Sequence, residues 1–444
     1  MPDAVYQVMT MLSPLVAPLP IGTNLGLLHL LWMLVSGRLL GSRGALLPGL
    51  SDLGLTDSEV RRAWAALSGT WTSDALIAGW TRQVEGAGHW QPHQYGGYRP
   101  VAIDLTGFWR PRLQGCPTRH YHAEAGIALP AIVIGIIARV GSAAGQRLGL
   151  PLGLVRADPT DPSPAAHRRR LIAVAAERRA AADVLVGDRE FRIADFQAAG
   201  APAWVARLPK NFIARRATPP PYGGRGRPPT RGLVVRPLPR RRKERAIAAT
   251  PPDQVTTWTE DAKVVRAEVW TDLVRSEAAP GSPTFTVVAV HHPAYKAPLL
   301  LSTPLALGPE QIRAVYRDRW PVEQLPLAAK QMVGAARQFV HAPETCQRLP
   351  ELALLAGSLL SYAAATLPAT PTGFWDRQPR PTPGRLRRVL ARWPFPHDVP
   401  LLPRLRRKAS LTDHLPKGWF GQRRPASAPI PASSSDSEPT VEAA

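Results

Sequence analysis

A run of apolar positions at residues 25–35, bounded by Asn24 and by Gly37-Arg38, predicts a buried helix over residues 24–40. It is shorter than the roughly 20 apolar residues that a membrane span needs. Thr56-Asp57-Ser58-Glu59 ahead of Val60 has the capping-box pattern and predicts a second helix, and Thr72-Ser73-Asp74 caps a third that runs towards Trp80. At residue 99 the period changes. Val101, Ile103 and Leu105 alternate with Ala102, Asp104 and Thr106, which predicts a strand with Asp104 on its less apolar face. Further strands are expected at residues 131–137, 152–156, 183–188 and 203–208, with helices at 165–182 and 193–199 between them. Strands that come first and then alternate with helices argue for an α/β sheet domain.

From about residue 218 to 307 the helical pattern disappears. Pro-Pro and Gly-Gly pairs, the segment Gly224-Arg225-Gly226-Arg227 and runs of β pattern at 232–235, 264–270, 285–290 and 298–302 predict a β-rich insertion, with a basic stretch at Arg240-Arg241-Arg242-Lys243. Helical pattern returns at Pro309, and residues 351–367 read as an apolar core helix. The chain therefore divides into a helical region (1–95), a first part of the sheet domain (96–217), the β-rich insertion (218–307), a last part of the sheet domain (308–345), a basic helical region (346–423) and a tail (424–444). That tail of Ser, Pro and Ala with no hydrophobic period is expected to be disordered.

Composition changes the picture in one respect. The 55 Lys and Arg against 33 Asp and Glu leave a formal charge of +22. A surplus of this size repels itself unless a polyanion shares it, which makes nucleic acid the leading partner and a merely solubilising surface the alternative. Two cysteines without paired spacing exclude a disulfide scaffold and argue against a structural zinc site. The start of the chain lacks the basic stretch and small-residue cleavage site of a secretory signal, so cytoplasmic residence is expected, without a membrane partner.

The segment 316–330 carries the candidate chemistry. At 100° per residue a single helix would put Tyr316, Arg319, Glu323 and Lys330 within about 60° of one another. Such a face offers a phosphodiester a carboxylate for a metal ion, cations for flanking phosphates and an aromatic ring. An ordinary amphipathic surface helix carries the same pattern. Pro321 suits a first helical turn, but Pro326 removes a backbone hydrogen bond further in and predicts a kink that would carry Lys330 off the face.

This spacing of Tyr, Arg, Glu and Lys resembles the YREK signature of the bacterial insertion-sequence-four family of DDE transposases. The resemblance implies a ribonuclease-H-like mixed sheet with flanking helices, interrupted by a β-rich insertion, and two earlier aspartates on its strands. Asp104 in Ile103-Asp104-Leu105-Thr106-Gly107 and Asp188 in Val186-Gly187-Asp188-Arg189-Glu190 fit that pattern. Each acid also has an ordinary reading: Asp104 as a strand-edge residue, Asp188 as a helix cap, Glu323 as a first-turn acid.

The resemblance further implies that Asp104, Asp188 and Glu323 are catalytic and hold two Mg²⁺ ions, with Mn²⁺ able to substitute. Tyr316, Arg319 and Lys330 would hold DNA phosphates, and Trp320 would stack on an unpaired base or serve the core. The implied partners are the inverted-repeat ends of the element and target DNA, bound by a homodimer in the bacterial nucleoid. The implied course is nicking, hairpin formation, hairpin opening and strand transfer. Residues 1–95, with Arg61, Arg62 and Arg82, are expected either to read DNA ends or to serve only packing, and residues 385–408 to contact DNA or a second subunit. Two other readings stand beside this one: a transposase-derived DNA-binding protein impaired in catalysis, and a ribonuclease-H-like nuclease without strand transfer.

Overall fold

A computed structural model describes residues 3–224, 229–242, 245–279, 281–371 and 373–406. Both the 424–444 tail and part of the basic run at 240–243 lie outside the described residues. Six helices open the chain: α1 (Asp3–Val16), α2 (Thr23–Val35), α3 (Arg38–Gly41), α4 (Leu46–Ser51), α5 (Asp57–Ala66) and α6 (Ser73–Gly86). The helix expected over 24–40 is interrupted, because Gly37 takes a left-handed conformation at φ 74° and the chain restarts as α3. The capping box forms as its residues require: Glu59 N–H donates to the Thr56 hydroxyl, and the Glu59 carboxylate accepts from the Thr56 N–H at 2.9 Å. Thr72 caps α6 in the same manner through the Ala75 N–H.

The sheet follows: β1 (Trp90–Pro92), β2 (Arg99–Trp109), β3 (Arg119–His122), β4 (Ile127–Ala143) and β5 (Gln146–Arg156), then α7 (Pro164–Arg178), β6 (Asp183–Gly187), α8 (Ile193–Ala198) and β7 (Trp204–Arg207). The hairpins β2, β4 and β5 are antiparallel, while β6 and β7 run parallel to β2, in the spatial order β5-β4-β2-β6-β7. Leu171 of α7 lies so close to β4 that a Cβ at Gly135 would come within 2.9 Å of it, which is why a glycine stands there.

The β-rich stretch supplies β8 (Ala214–Arg216), β9 (Val234–Val235), β10 (Arg240–Arg242), β11 (Arg245–Ile247), β12 (Gln254–Glu260), β13 (Lys263–Arg275), β14 (Phe285–His291) and β15 (Leu299–Thr303). Apart from the β10–β11 hairpin, these strands continue the same sheet, because β15 pairs antiparallel with β7 through Ser302 and Ala206. Val205 and Ala206 are fully buried, and an uncovered β7 edge would expose them together with unpaired backbone groups.

The chain ends with α9 (Pro309–Arg317), α10 (Trp320–Leu327), a π-helical turn at Ala328–Val333, α11 (Pro343–Thr366), α12 (Pro383–Leu390) and α13 (Pro403–Arg406). The fold is thus a mixed sheet between helical layers. Leu171, Ile172 and Phe196 of α7 and α8 pack on one face with Ile103 and Leu185. On the other face Ile312, Val315 and Tyr316 of α9 meet Val184, Val186 and Val205. Beside them α10, α11 and the N-terminal helices share one core with Ile134, Ile136 and Ala138 of β4. Among the described residues α11 alone is long and apolar enough to cross a membrane. Its apolar window is 89% buried inside the fold, where the Trp80 indole donates to the Ser358 hydroxyl at 3.1 Å.

Candidate functional site

β2 and β6 run parallel with Ala102 opposite Val186. Two residues further along come Asp104, midway along β2, and Asp188, one residue past the end of β6, so the register brings the two aspartates side by side. Asp104 shares the strand face of Ala102 and Thr106. Asp188 follows the last residue of β6; its carboxylate accepts from the Arg189 N–H and lies 4.0 Å from the Arg207 guanidinium at the end of β7.

The segment that was expected to be one helix is three pieces. Asp318 and Arg319 separate α9 from α10, and the π-helical turn follows Pro326. Tyr316 is therefore on α9, Arg319 at the junction, Glu323 on α10 and Lys330 in the turn. They nevertheless converge. The Arg319 guanidinium, nearly fully buried, donates to Glu323 Oε1 at 2.5 Å and stands 5.8 Å from the Tyr316 ring and 5.3 Å from the Trp320 ring. Lys330 Nζ donates to Thr106 Oγ1 at 2.8 Å, two residues from Asp104, and lies 4.5 Å from the Trp109 ring. Pro326 does not carry Lys330 away. A wider turn absorbs the missing N–H and the clash of the proline ring with the preceding turn, and the ammonium still reaches β2.

Electrostatics tie the acids together. Burial pushes the Asp104 carboxyl up to about 7; Arg319 opposes the rise, while the charges of Glu323 and Asp188 add to it. Burial also lowers Lys330 to about 8, against the pull of Asp104. Tyr316 is raised above its usual range, first by burial, and stays a neutral donor. Asp188 and Glu323 keep about a third of their side-chain surface exposed, so the cluster is open to a ligand from solvent.

Among the described residues no three acidic, imidazole or thiol groups already stand at the spacing of a metal site. The donor set does suit a hard divalent cation, because hard cations take carboxylate oxygens. A carboxyl raised to about 7 by burial, with two neighbouring carboxylates adding to the rise, is one that added positive charge would ionise.

Trp320 is not a core residue: 61% of it is exposed. Sequence reasoning missed Asp318, whose side chain is fully buried. It accepts from Tyr95 OH at 3.0 Å, meets His93 Nδ1 at 2.7 Å and pairs with Arg147 at 3.4 Å. His93 in turn meets Ser142 Oγ at 2.7 Å. Asp318 stands between two arginines in the sequence, and nothing local shows that two distant segments, one with His93 and Tyr95 and one with Arg147, close over it. No protein-family model matches the chain, and no curated protein matches it.

Proposed function

We propose that the chain is a metal-dependent DNA-cutting and DNA-joining enzyme, a DDE transposase of the insertion-sequence-four type. The observation that carries this reading is the convergence of Asp104, Asp188 and Glu323. They come from a strand, the end of its parallel neighbour and a helix of the facing layer, and Asp188 and Glu323 both act on the charge of Asp104. Three antiparallel strands flanked by two parallel ones, with helices on both faces, are compatible with a ribonuclease-H-like sheet. The β-rich strands between Asp188 and Glu323, and the surplus of basic residues, agree with the same reading.

In this proposal Asp104, Asp188 and Glu323 hold divalent metal, Mg²⁺ by the preference of hard oxygen donors. When bound, such ions activate an attacking oxygen and stabilise a leaving one. The remaining work falls to the chain's own residues. Arg319 fixes the Glu323 carboxylate and neutralises part of the site's negative charge. Lys330, fixed by Thr106, presents a cation beside Asp104 for a DNA phosphate. Tyr316 offers a neutral hydroxyl, and exposed Trp320 offers a face on which a base can stack. A homodimer bound to element ends and target DNA is the expected assembly.

The test uses purified protein, a labelled duplex carrying the DNA that flanks the gene, and Mg²⁺ or Mn²⁺. Nicks and hairpins that disappear in Glu323→Gln and Asp188→Asn, with DNA binding retained, support the transposase. Nicks without hairpins or strand transfer favour a plain nuclease. Binding without any cleavage overturns the enzyme and leaves a DNA-binding protein.

A further inference from the structure

Around the end of the sheet from the acids, on the α7 side, lies a second feature. It is a cavity of about 210 Å³ between β3, β4 and the first turn of α7. It begins at Leu105, one residue past Asp104, and at Glu190, two residues past Asp188. Thr118, Arg119, His120, Tyr121, His167 and Arg168 complete its polar wall. Glu323 and Lys330 approach from the opposite layer, so the cavity and the acids are joined through the chain itself, at residues 104–105 and 188–190.

The cavity's chemistry is specific. It is smaller than the roughly 300–1,000 Å³ of sites that enclose a drug-sized ligand, so a cofactor or a stretch of several nucleotides does not fit. Its ring-bearing residues offer flat surfaces: Tyr121 is exposed, and His120 packs so tightly that a Cβ at Gly107 would lie 2.6 Å from it. Burial, with Lys330 and His167 nearby, lowers His120 to about 4, and burial lowers His167 too. Both imidazoles are then neutral at pH 7 and act as planar polar groups rather than cations. Positive charge comes instead from Arg119, bonded to the Ala128 carbonyl at 3.1 Å, and from Arg168, whose Nε is buried without a hydrogen-bond partner. An orphaned guanidinium nitrogen costs free energy unless a ligand or solvent satisfies it. Glu190 at the rim supplies the one carboxylate of the lining.

We propose that this cavity reads one unstacked base of the DNA strand that crosses the acidic site, with Arg119 and Arg168 on its phosphate and Glu190 selecting a base that bears an exocyclic amino group. A carboxylate accepts from the amino group of cytosine but repels the carbonyl that uracil or thymine places at the same position. Tyr121 and His120 supply the stacking surface, which is indifferent to the identity of the base, while buried His167 backs it through its bond to the Val155 carbonyl. The inference rests on the DNA-cutting reading for its substrate and not for its test.

That test is metal-free binding of short single-stranded homopolymers of deoxycytidine and deoxyuridine, which differ at the position Glu190 would read. The wild type is expected to bind the deoxycytidine strand about five- to tenfold more tightly. Glu190→Gln should bring the ratio close to one, and Tyr121→Ala and Arg168→Ala should weaken both strands alike. Equal binding of the two strands by the wild type, or a preference unchanged in Glu190→Gln, overturns the cavity's role, even in a protein that cuts DNA with Mg²⁺. A cytosine preference that Glu190→Gln abolishes upholds it, even in a protein that cuts nothing. Failure to bind either strand overturns the cavity's role and leaves the DNA-cutting reading to its own duplex test.

Discussion

Lys330 in the π-helical turn that follows Pro326 and Thr106 on β2 are joined by a 2.8 Å hydrogen bond. The bond places a buried ammonium beside Asp104, and burial brings that ammonium to about 8. Its charge is therefore present at pH 7 and lost as the pH rises through about 8. A DNA contact made by Lys330 should weaken over the same range. Lys330→Arg should flatten this pH dependence. Lys330→Met should remove it and lower the slope of log affinity against log salt by about 1, measured by fluorescence anisotropy.

Asp104 makes a prediction about stability. In the unfolded chain its carboxyl titrates near the usual ~3.9, while in the folded protein it holds its proton to about 7. The folded state binds the extra proton over that window. Its contribution to stability is thus complete below about pH 4 and is lost as the pH rises through about 7. In the absence of divalent ions, Asp104→Asn should be more stable than the wild type at pH 8, by an amount on the order of a few kcal/mol, and similar to it at pH 4. Thermal unfolding at the two pH values checks this, and a wild type that is the more stable at pH 8 would contradict it.

Asp318 holds the junction between α9 and α10 from inside, through His93, Tyr95 and Arg147. Removing a buried carboxylate leaves its donors unpaired. Asp318→Ala should destabilise the protein by about 3 kcal/mol or more, seen as a lower midpoint in urea. Asp318→Asn, which keeps the shape but not the charge, should lose less.

Trp320 is exposed, so its truncation should leave the unfolding midpoint within about 0.5 kcal/mol of the wild type. If the ring stacks on an unpaired base, Trp320→Ala should still weaken binding to a duplex with an unpaired base by about 1–3 kcal/mol. Binding to the fully paired duplex should change little.

What the sequence revealed depended on how local the cause was. The Thr56 and Thr72 caps, the strand through Asp104 and the short strand ahead of Asp188 are set by neighbours in the chain, and they form where their residues require. The single helix over 316–330 did not form, because Asp318 is drawn into a buried pocket by residues far away in sequence. A helical wheel carries no trace of that pull. The continuation of the sheet from β7 into β15 was equally hidden, since strand pattern marks a strand but not its partner. The family resemblance singled out the three acids now proposed as the site; that Asp188 and Glu323 bear on the charge of Asp104 emerged only from the fold. The cavity beside them, built from β3 and α7, had no signature in the sequence.

The most direct measurement is a Mn²⁺ titration of the protein without DNA, followed by electron paramagnetic resonance, for the wild type and for Asp104→Asn, Asp188→Asn and Glu323→Gln. The wild type is expected to bind the ion at pH 8 and to lose affinity as the pH falls below about 7, where Asp104 takes up its proton. Each variant is expected to bind at least about tenfold more weakly, because each removes one donor from a shared site. Equal affinity in all four proteins would contradict a single metal site made by these three acids.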